Sequence, residues 1–363
     1  MSDTKPIYIK EPLINVVSFL ILGIINNFAY NMMLSAAKDL IGNQAPAGII
    51  LMVNSGPSFI IALLFPTFQH KVKFIYFAII AVISATIGFI LAGFTPYSFV
   101  IGLIGVFFVS VQQGFTGSMM LSYTSMFGKQ CLSAFSMGTG ISGLSSSFIY
   151  TYLTQFLKVQ YDLIIFCFAV APVLFLIAFL TSKPVGYAQV SQGDNHISTM
   201  STKERFQAIG QHWLLYTMII SNHLFEYTIM QGIDAAIDYP EYPGQFYTFS
   251  FTAAQIGVCT GRSSLFLFQL PFWLFITFGI MQISNFVIFT LQAKFMFITN
   301  FWGMLVYVGF MGFLGGLVFI NGIYWLQQRS QQNVRKFLTG VANTMIATGV
   351  LAASGLGSLM QMA

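Results

Sequence analysis

The chain has 363 residues, 56% of them hydrophobic and only 7% charged, with a formal net charge of +5. Soluble domains carry about 25% charged residues, and a soluble fold of this size could not hide so much apolar surface, whereas a lipid-facing bundle has no need to. The composition excludes a water-soluble enzyme or nucleic-acid-binding domain and points to an all-α polytopic membrane protein.

A membrane span needs about 20 apolar residues, within a range of about 17 to 25. From the N-terminus, spans are expected at 13–33, 48–68, 72–94, 98–121, 133–155 and 160–181. After a polar stretch at 182–210 they resume at 211–233, 247–268, 270–291, 297–324 and 337–360. This predicts eleven transmembrane helices, six plus five. The first run follows a short head bearing both charge signs and reads as a retained helix rather than a cleaved signal peptide. Two spans meet at Pro271 with almost no loop, and proline suits a helix start because its missing N–H would be unpaired there.

Charge sets the expected topology. A cytoplasmic N-terminus places Lys5, Lys10, Lys71, Lys73, Lys129, Lys183, Lys203, Arg205, Arg329, Arg335 and Lys336 inside, against Lys38, Lys158 and Lys294 outside. That is a strong positive-inside bias. Asp39, Asp162, Asp234, Asp238 and Glu241 fall on the outer side, and an odd span count ends the chain there. Residues 1–181 then form an N-terminal six-helix half, 182–210 a cytoplasmic central loop and 211–363 a C-terminal five-helix half. A central loop between two halves is the arrangement of a two-lobed, major-facilitator-like transporter built from parallel repeats. SMGTGISGLSSS at Ser136–Ser147 and IATGVLAASGLGS at Ile346–Ser358 occupy the fifth span of each half and echo one another. The plainer reading is that small residues allow close helix crossing.

Polar side chains inside the spans are the candidate functional groups. Span one offers Asn26, Asn27, Tyr30 and Asn31, span four Gln112 and Gln113, and span ten Asn321 near its inner end. Each is a candidate for lining a central path or for hydrogen bonding between helices. A charge at the bilayer centre costs about 2.5 to 3.5 kcal/mol, so it normally faces a cavity or a partner. Glu226 lies about 14 residues into span seven, about 21 Å from its inner end at 1.5 Å per residue. Asn222 and His223 share its face, four and three residues earlier. That face is a candidate proton site (Glu226, His223) or contact for a cationic substrate group, with a structural hydrogen bond as the alternative. Arg262 in span eight is expected about 9 Å from the inner end and about 12 Å below Glu226. It could bind an anion through its bidentate fork or snorkel to the interface.

Catalytic and cofactor chemistry find no support. Cys131, Cys167 and Cys259 lack metal-ligand or CxxC spacing, and there is no phosphate-binding loop, HExxH motif or nucleophile elbow. No catalytic residue, metal or cofactor is assigned, no nucleic-acid partner is expected, and no N-glycosylation sequon occurs. The expected partners are the lipid bilayer and a polar small-molecule substrate.

LGIINNFAYNMMLSAAKDLI at Leu22–Ile41, GTGISG in span five, FEYTIMQG in span seven, the RSSLFLFQ beginning at Arg262 and FLGGLVFING before the last loop resemble the battenin (Batten disease protein) family. The resemblance runs from span one into span eleven and is most specific at NNFAY…MLSAAKD. It implies a lysosomal or vacuolar membrane protein with an eleven-span fold related to the major facilitator superfamily. It further implies export of glycerophosphodiesters or, in fungi, vacuolar basic-amino-acid and pH homeostasis. Asn26, Asn27, Tyr30, Glu226, Arg262, Ser263 and Ser264 match family positions, whereas Gln113 stands where the family pattern carries a glutamate. On this reading Arg262 meets the phosphate, Asn26, Asn27 and Tyr30 recognise polar groups, and Glu226 with His223 serves a head group or a proton. A membrane scaffold acting through the 182–210 loop, with solvated Lys203, Glu204 and Arg205, is the competing class.

Overall fold

The computed structural model describes residues 11–41, 48–183, 200–242 and 246–362. Lys5, Lys10 and residues 184–199 of the central loop lie outside them. The described chain is helical throughout: α1 (Leu13–Ser35), α2 (Ala37–Ile41), α3 (Gly48–Phe68), α4 (Phe74–Gly93), α5 (Phe99–Thr124), α6 (Lys129–Thr151), α7 (Tyr161–Cys167), α8 (Pro172–Thr181), α9 (Thr202–Gly210), α10 (Trp213–Thr228), α11 (Phe246–Ser263), α12 (Phe272–Phe295), α13 (Phe301–Arg329) and α14 (Gln332–Met362). Among the described residues, eight segments are long and apolar enough to cross a membrane: α1, α3, α4, α5, Tyr161–Thr181, α12, α13 and α14. The expected spans carried by α6, α10 and α11 do not qualify on that measure. Small and hydroxylated residues dilute α6, and α10 is only 16 residues long before a π turn at Ile229–Ile233 carries it onward.

Local chemistry explains where the boundaries depart from hydropathy. Tyr161–Thr181 is broken by a 3-10 turn at Phe168–Val170, and Pro172, which has no N–H to give, restarts the helix. Pro271 stands immediately before α12, at φ −57°. The expected 297–324 span becomes Phe301–Arg329, because Asn300 caps it by accepting from Gly303 N at 2.6 Å. Arg329 extends its far end by stacking over the Phe272 ring at 3.5 Å. In the central stretch the sequence pattern missed α9, an exposed helix with a capping box between Ser201 and Glu204.

Glycine sets the spacing between helices. A Cβ on Gly138 of α6 would meet backbone atoms of α1, including Ile24 N at 2.9 Å and Gly23 Cα at 3.0 Å. The crossing of α11 with α13 follows the same logic, since a Cβ on Gly316 would lie 2.6 Å from Val258 O. On α14, a Cβ on Gly349 would lie 2.7 Å from Ile220 O of α10. Both echoing small-residue segments therefore serve close packing, their plainer reading. The first group of helices meets the second where α6 packs on α11 and where α14 packs on α3 and α5.

A polar clasp ties the start of α1 to its neighbours. Glu11 is buried, accepts from Gly128 N at 2.6 Å just before α6, and accepts from Asn15 Nδ2 at 3.0 Å. Asn15 in turn exchanges hydrogen bonds with the Lys183 backbone, both at 3.0 Å. Glu11→Ala strands these donors and is expected to cost about 1 to 3 kcal/mol. A fall in the midpoint of detergent thermal unfolding reads this, and an unchanged midpoint would show the clasp to be dispensable.

Candidate functional site

The helices surround a cavity lined by residues from α1, α3, α5, α6, α10, α11, α13 and α14. Six of the sequence-derived candidates line it: Asn26, Asn27, Tyr30, Gln113, His223 and Arg262. Asn26, Asn27 and Tyr30 arrive on α1, Gln113 on α5, His223 on α10 and Arg262 on α11.

The amide side of the cavity is a linked set. Gln113 Nε2 donates to Asn27 Oδ1 at 2.9 Å, and Asn26 Nδ2 donates to the same oxygen at 3.1 Å. These bonds leave Asn26 Oδ1 and Gln113 Oε1 buried without a protein partner. The Tyr30 hydroxyl lies beside Tyr227 and interacts with its hydroxyl. Buried polar atoms are normally satisfied, so a cluster of orphans around one cavity marks where a polar ligand can complete the bonding.

Arg262 dominates the opposite wall. It is 8% exposed, its Nη1 donates to Thr139 Oγ1 at 2.9 Å, and its guanidinium lies over the Phe319 ring at 4.5 Å. Its Nε is buried without a partner. These contacts overturn the snorkelling alternative. Arg262 is within electrostatic reach of Glu226, His223 and Tyr227. His223 Nδ1 shares a 2.8 Å hydrogen bond with Ile219 O, a carbonyl that can only accept, so Nδ1 carries a proton. That ring packs edge-on to Phe319 and parallel to Tyr227.

Three candidates stand elsewhere. Gln112 lines a separate, mostly apolar cavity, and its Nε2 donates to Asn26 O at 3.2 Å and Thr116 Oγ1 at 2.8 Å. It fixes α5 against α1 rather than facing the main cavity. Asn321 is interhelical glue: Oδ1 accepts from Leu270 N at 2.9 Å, and Nδ2 donates to Leu317 O at 3.0 Å. Glu226 is 3% exposed but sits behind the cavity wall, with Asn222 donating to it at 3.3 Å. Of the two serines after Arg262, Ser263 Oγ bonds back to Cys259 O at 2.7 Å, and Ser264 is buried.

The sequence did not single out Tyr227, Thr139, Phe319, Asn343, Ser55 or Ser58 as cavity residues. Tyr227 could have been found beside Glu226, and Asn343 as a lone amide in an apolar run. Phe319 gives no signal, being one of 40 phenylalanines.

A family model described as CLN3 protein matches residues 17–212 and 188–363. Among curated proteins, the chain is 27% identical to Protein BTN1 of Kluyveromyces lactis, covering 94% of this chain and 92% of that one. It is 26% identical to Protein btn-1 of Neurospora crassa, covering 95% and 87%. Among solved structures, the human organic anion transporter MFSD10 (TETRAN) superposes with a TM-score of 0.63 at 13% identity, covering 97% and 99%. The E. coli fucose:proton symporter FucP superposes with a TM-score of 0.62 at 14% identity, covering 96% and 95%. At such identities the likeness shows a shared fold.

Proposed function

The chain belongs to the CLN3 protein family, and from that premise we propose that it is a transporter of the lysosomal or vacuolar membrane that exports glycerophosphodiesters by alternating access. The carrying observation is the cavity's charge. Among the described residues that line it, Arg262 is the one formally charged side chain and none is a carboxylate. A buried cation with an uncommitted Nε suits a phosphodiester, because a guanidinium matches phosphate oxygens as a fork. Asn26, Asn27 and Gln113 supply amides for glycerol hydroxyls, and Tyr30 and Tyr227 supply aromatic faces for a choline or ethanolamine arm.

In this reading the membrane is crossed eleven times, six before the central loop and five after it. The N-terminus is cytoplasmic and the C-terminus luminal. The halves are residues 1–181 and 211–363, and they rock about the packing of α6 on α11 and of α14 on α3 and α5. A basic-amino-acid carrier would want a carboxylate facing its substrate, and Glu226 lies behind the wall. A proton-coupling role for Glu226 or His223 needs no such exposure and stays part of the proposal.

The test is flux through purified protein in proteoliposomes, with labelled glycerophosphocholine and arginine offered separately across a pH gradient. Glycerophosphocholine movement above empty vesicles is the expected result. Arginine movement alone would replace the substrate class, and no flux of either from folded protein would favour the scaffold reading.

A further inference from the structure

Behind the cavity wall runs a string of hydrogen bonds that the substrate reading does not use. Tyr307 OH donates to Asn285 Oδ1 at 2.8 Å. Asn285 Nδ2 donates to Gln282 Oε1 at 2.8 Å. Gln282 Nε2 donates to Asn222 Oδ1 at 3.4 Å, and Asn222 Nδ2 donates to Glu226 Oε2 at 3.3 Å. Every donor points the same way, and the carboxylate is the terminal acceptor. The amides also hold backbone, Asn222 at Gly315 O (3.3 Å) and Gln282 at Met311 O (3.2 Å), so the string is anchored along its length.

Its position is unusual. α12 is the least buried of the eight membrane-crossing segments, at 28%, yet Gln282 is 0% and Asn285 3% exposed. Placing two amides on a lipid-flanked helix costs desolvation unless every group is matched. Here they are matched to each other and, through Asn222, to Glu226. The carboxyl rests against bare backbone, for a Cβ on Gly315 would lie 2.7 Å from Glu226 Oε2 and 2.9 Å from Oε1.

We infer that Gln282, Asn285 and Tyr307 are positioning residues for Glu226: their aligned dipoles hold its carboxyl away from the cavity and favour its ionised form. Aligned hydrogen bonds polarise one another in a low-dielectric interior, and donors directed at a carboxylate favour its charged state. Other groups act on the same carboxyl. Arg262 on α11 is the charged side chain within electrostatic reach of it, while His223 and Tyr227 lie beside it on α10. Gly315 on α13 and Gln282 on α12 bring no charge. Tyr307, on α13, contributes at the far end of the string. The substrate reading is not required, because the inference concerns one carboxyl and not what crosses the membrane.

The test is carbodiimide labelling, since dicyclohexylcarbodiimide modifies the protonated carboxyl. Full-length protein in proteoliposomes is labelled across a pH series, and the Glu226 peptide is followed by mass spectrometry, with Glu226→Gln as the blank. Gln282→Leu and Asn285→Leu are expected to move the labelling midpoint up by about one pH unit, and Tyr307→Phe, which removes a single oxygen, by a smaller step in the same direction. Tyr307→Phe keeps the fold and the helix packing, so it answers even if a leucine variant misfolds. A midpoint unchanged in Tyr307→Phe and in every folded leucine variant would overturn the inference. So would a downward shift.

Discussion

Arg262→Gln is expected to lower glycerophosphocholine flux by about 10- to 100-fold while leaving the protein folded. The estimate rests on the loss of a charge-assisted hydrogen bond, worth about 1.5 to 3 kcal/mol, at about 1.4 kcal/mol per tenfold. Glutamine keeps polarity at the site but supplies neither charge nor a fork. Arg262→Lys separates the two: charge remains and the fork is lost, so flux should fall between wild type and glutamine. Thr139→Val tests the same group from outside, because Thr139 Oγ1 takes the hydrogen bond from Nη1. Loss of that partner frees the guanidinium and is expected to weaken apparent affinity more than maximal rate. Wild-type flux in a folded Arg262→Gln variant would remove the phosphate assignment.

Gly138→Val is expected to give the largest loss of stability. The added Cβ would press on α1 backbone, at Leu20 O, Ile24 N and Gly23 Cα, and none of these can rotate away. α1 and α6 must separate, and with them the most extensive helix pairing in the structure. Overpacking a tight contact costs about 1 to 3 kcal/mol, and backbone on both sides places this case at about 3 or more. Monodisperse protein remaining after a heating series, read by size-exclusion chromatography, should fall sharply relative to wild type. Gly355→Ala is the control, because a Cβ there meets nothing within 4 Å. Equal behaviour of the two variants would mean that glycine does not set the α1–α6 distance.

The sequence revealed most of the fold because hydropathy acts along the chain, where counting works. It failed where a decision needed rotation or neighbours. Gln112 and Gln113 differ by about 100° around one helix, and the amino-acid pattern offers no way to choose between them. Packing chooses, turning Gln112 onto α1 backbone and Gln113 into the cavity. Arg262 shows the second kind of failure. Counting residues to the helix end put it near water, but Phe319 of α13 and Thr139 of α6 cover it. Depth along one helix does not report what the other helices place over it. Glu226 shows both outcomes: the shared face with Asn222 was legible, whereas Gln282 and Asn285 come from a helix far along the chain.

The way Arg262 is held has a stereochemical consequence. A free guanidinium is flat, and its two sides are mirror images. Here one side is covered by the Phe319 ring and one corner is fixed by Thr139, so the remaining edge is handed. The phosphorus of an unsymmetrical phosphodiester is prochiral: its two nonbridging oxygens share the charge equally and become distinguishable at such an edge. On the proposed phosphodiester reading, a bound diester would meet that edge in one sense rather than two. Handedness would be read at an atom that is not itself a stereocentre.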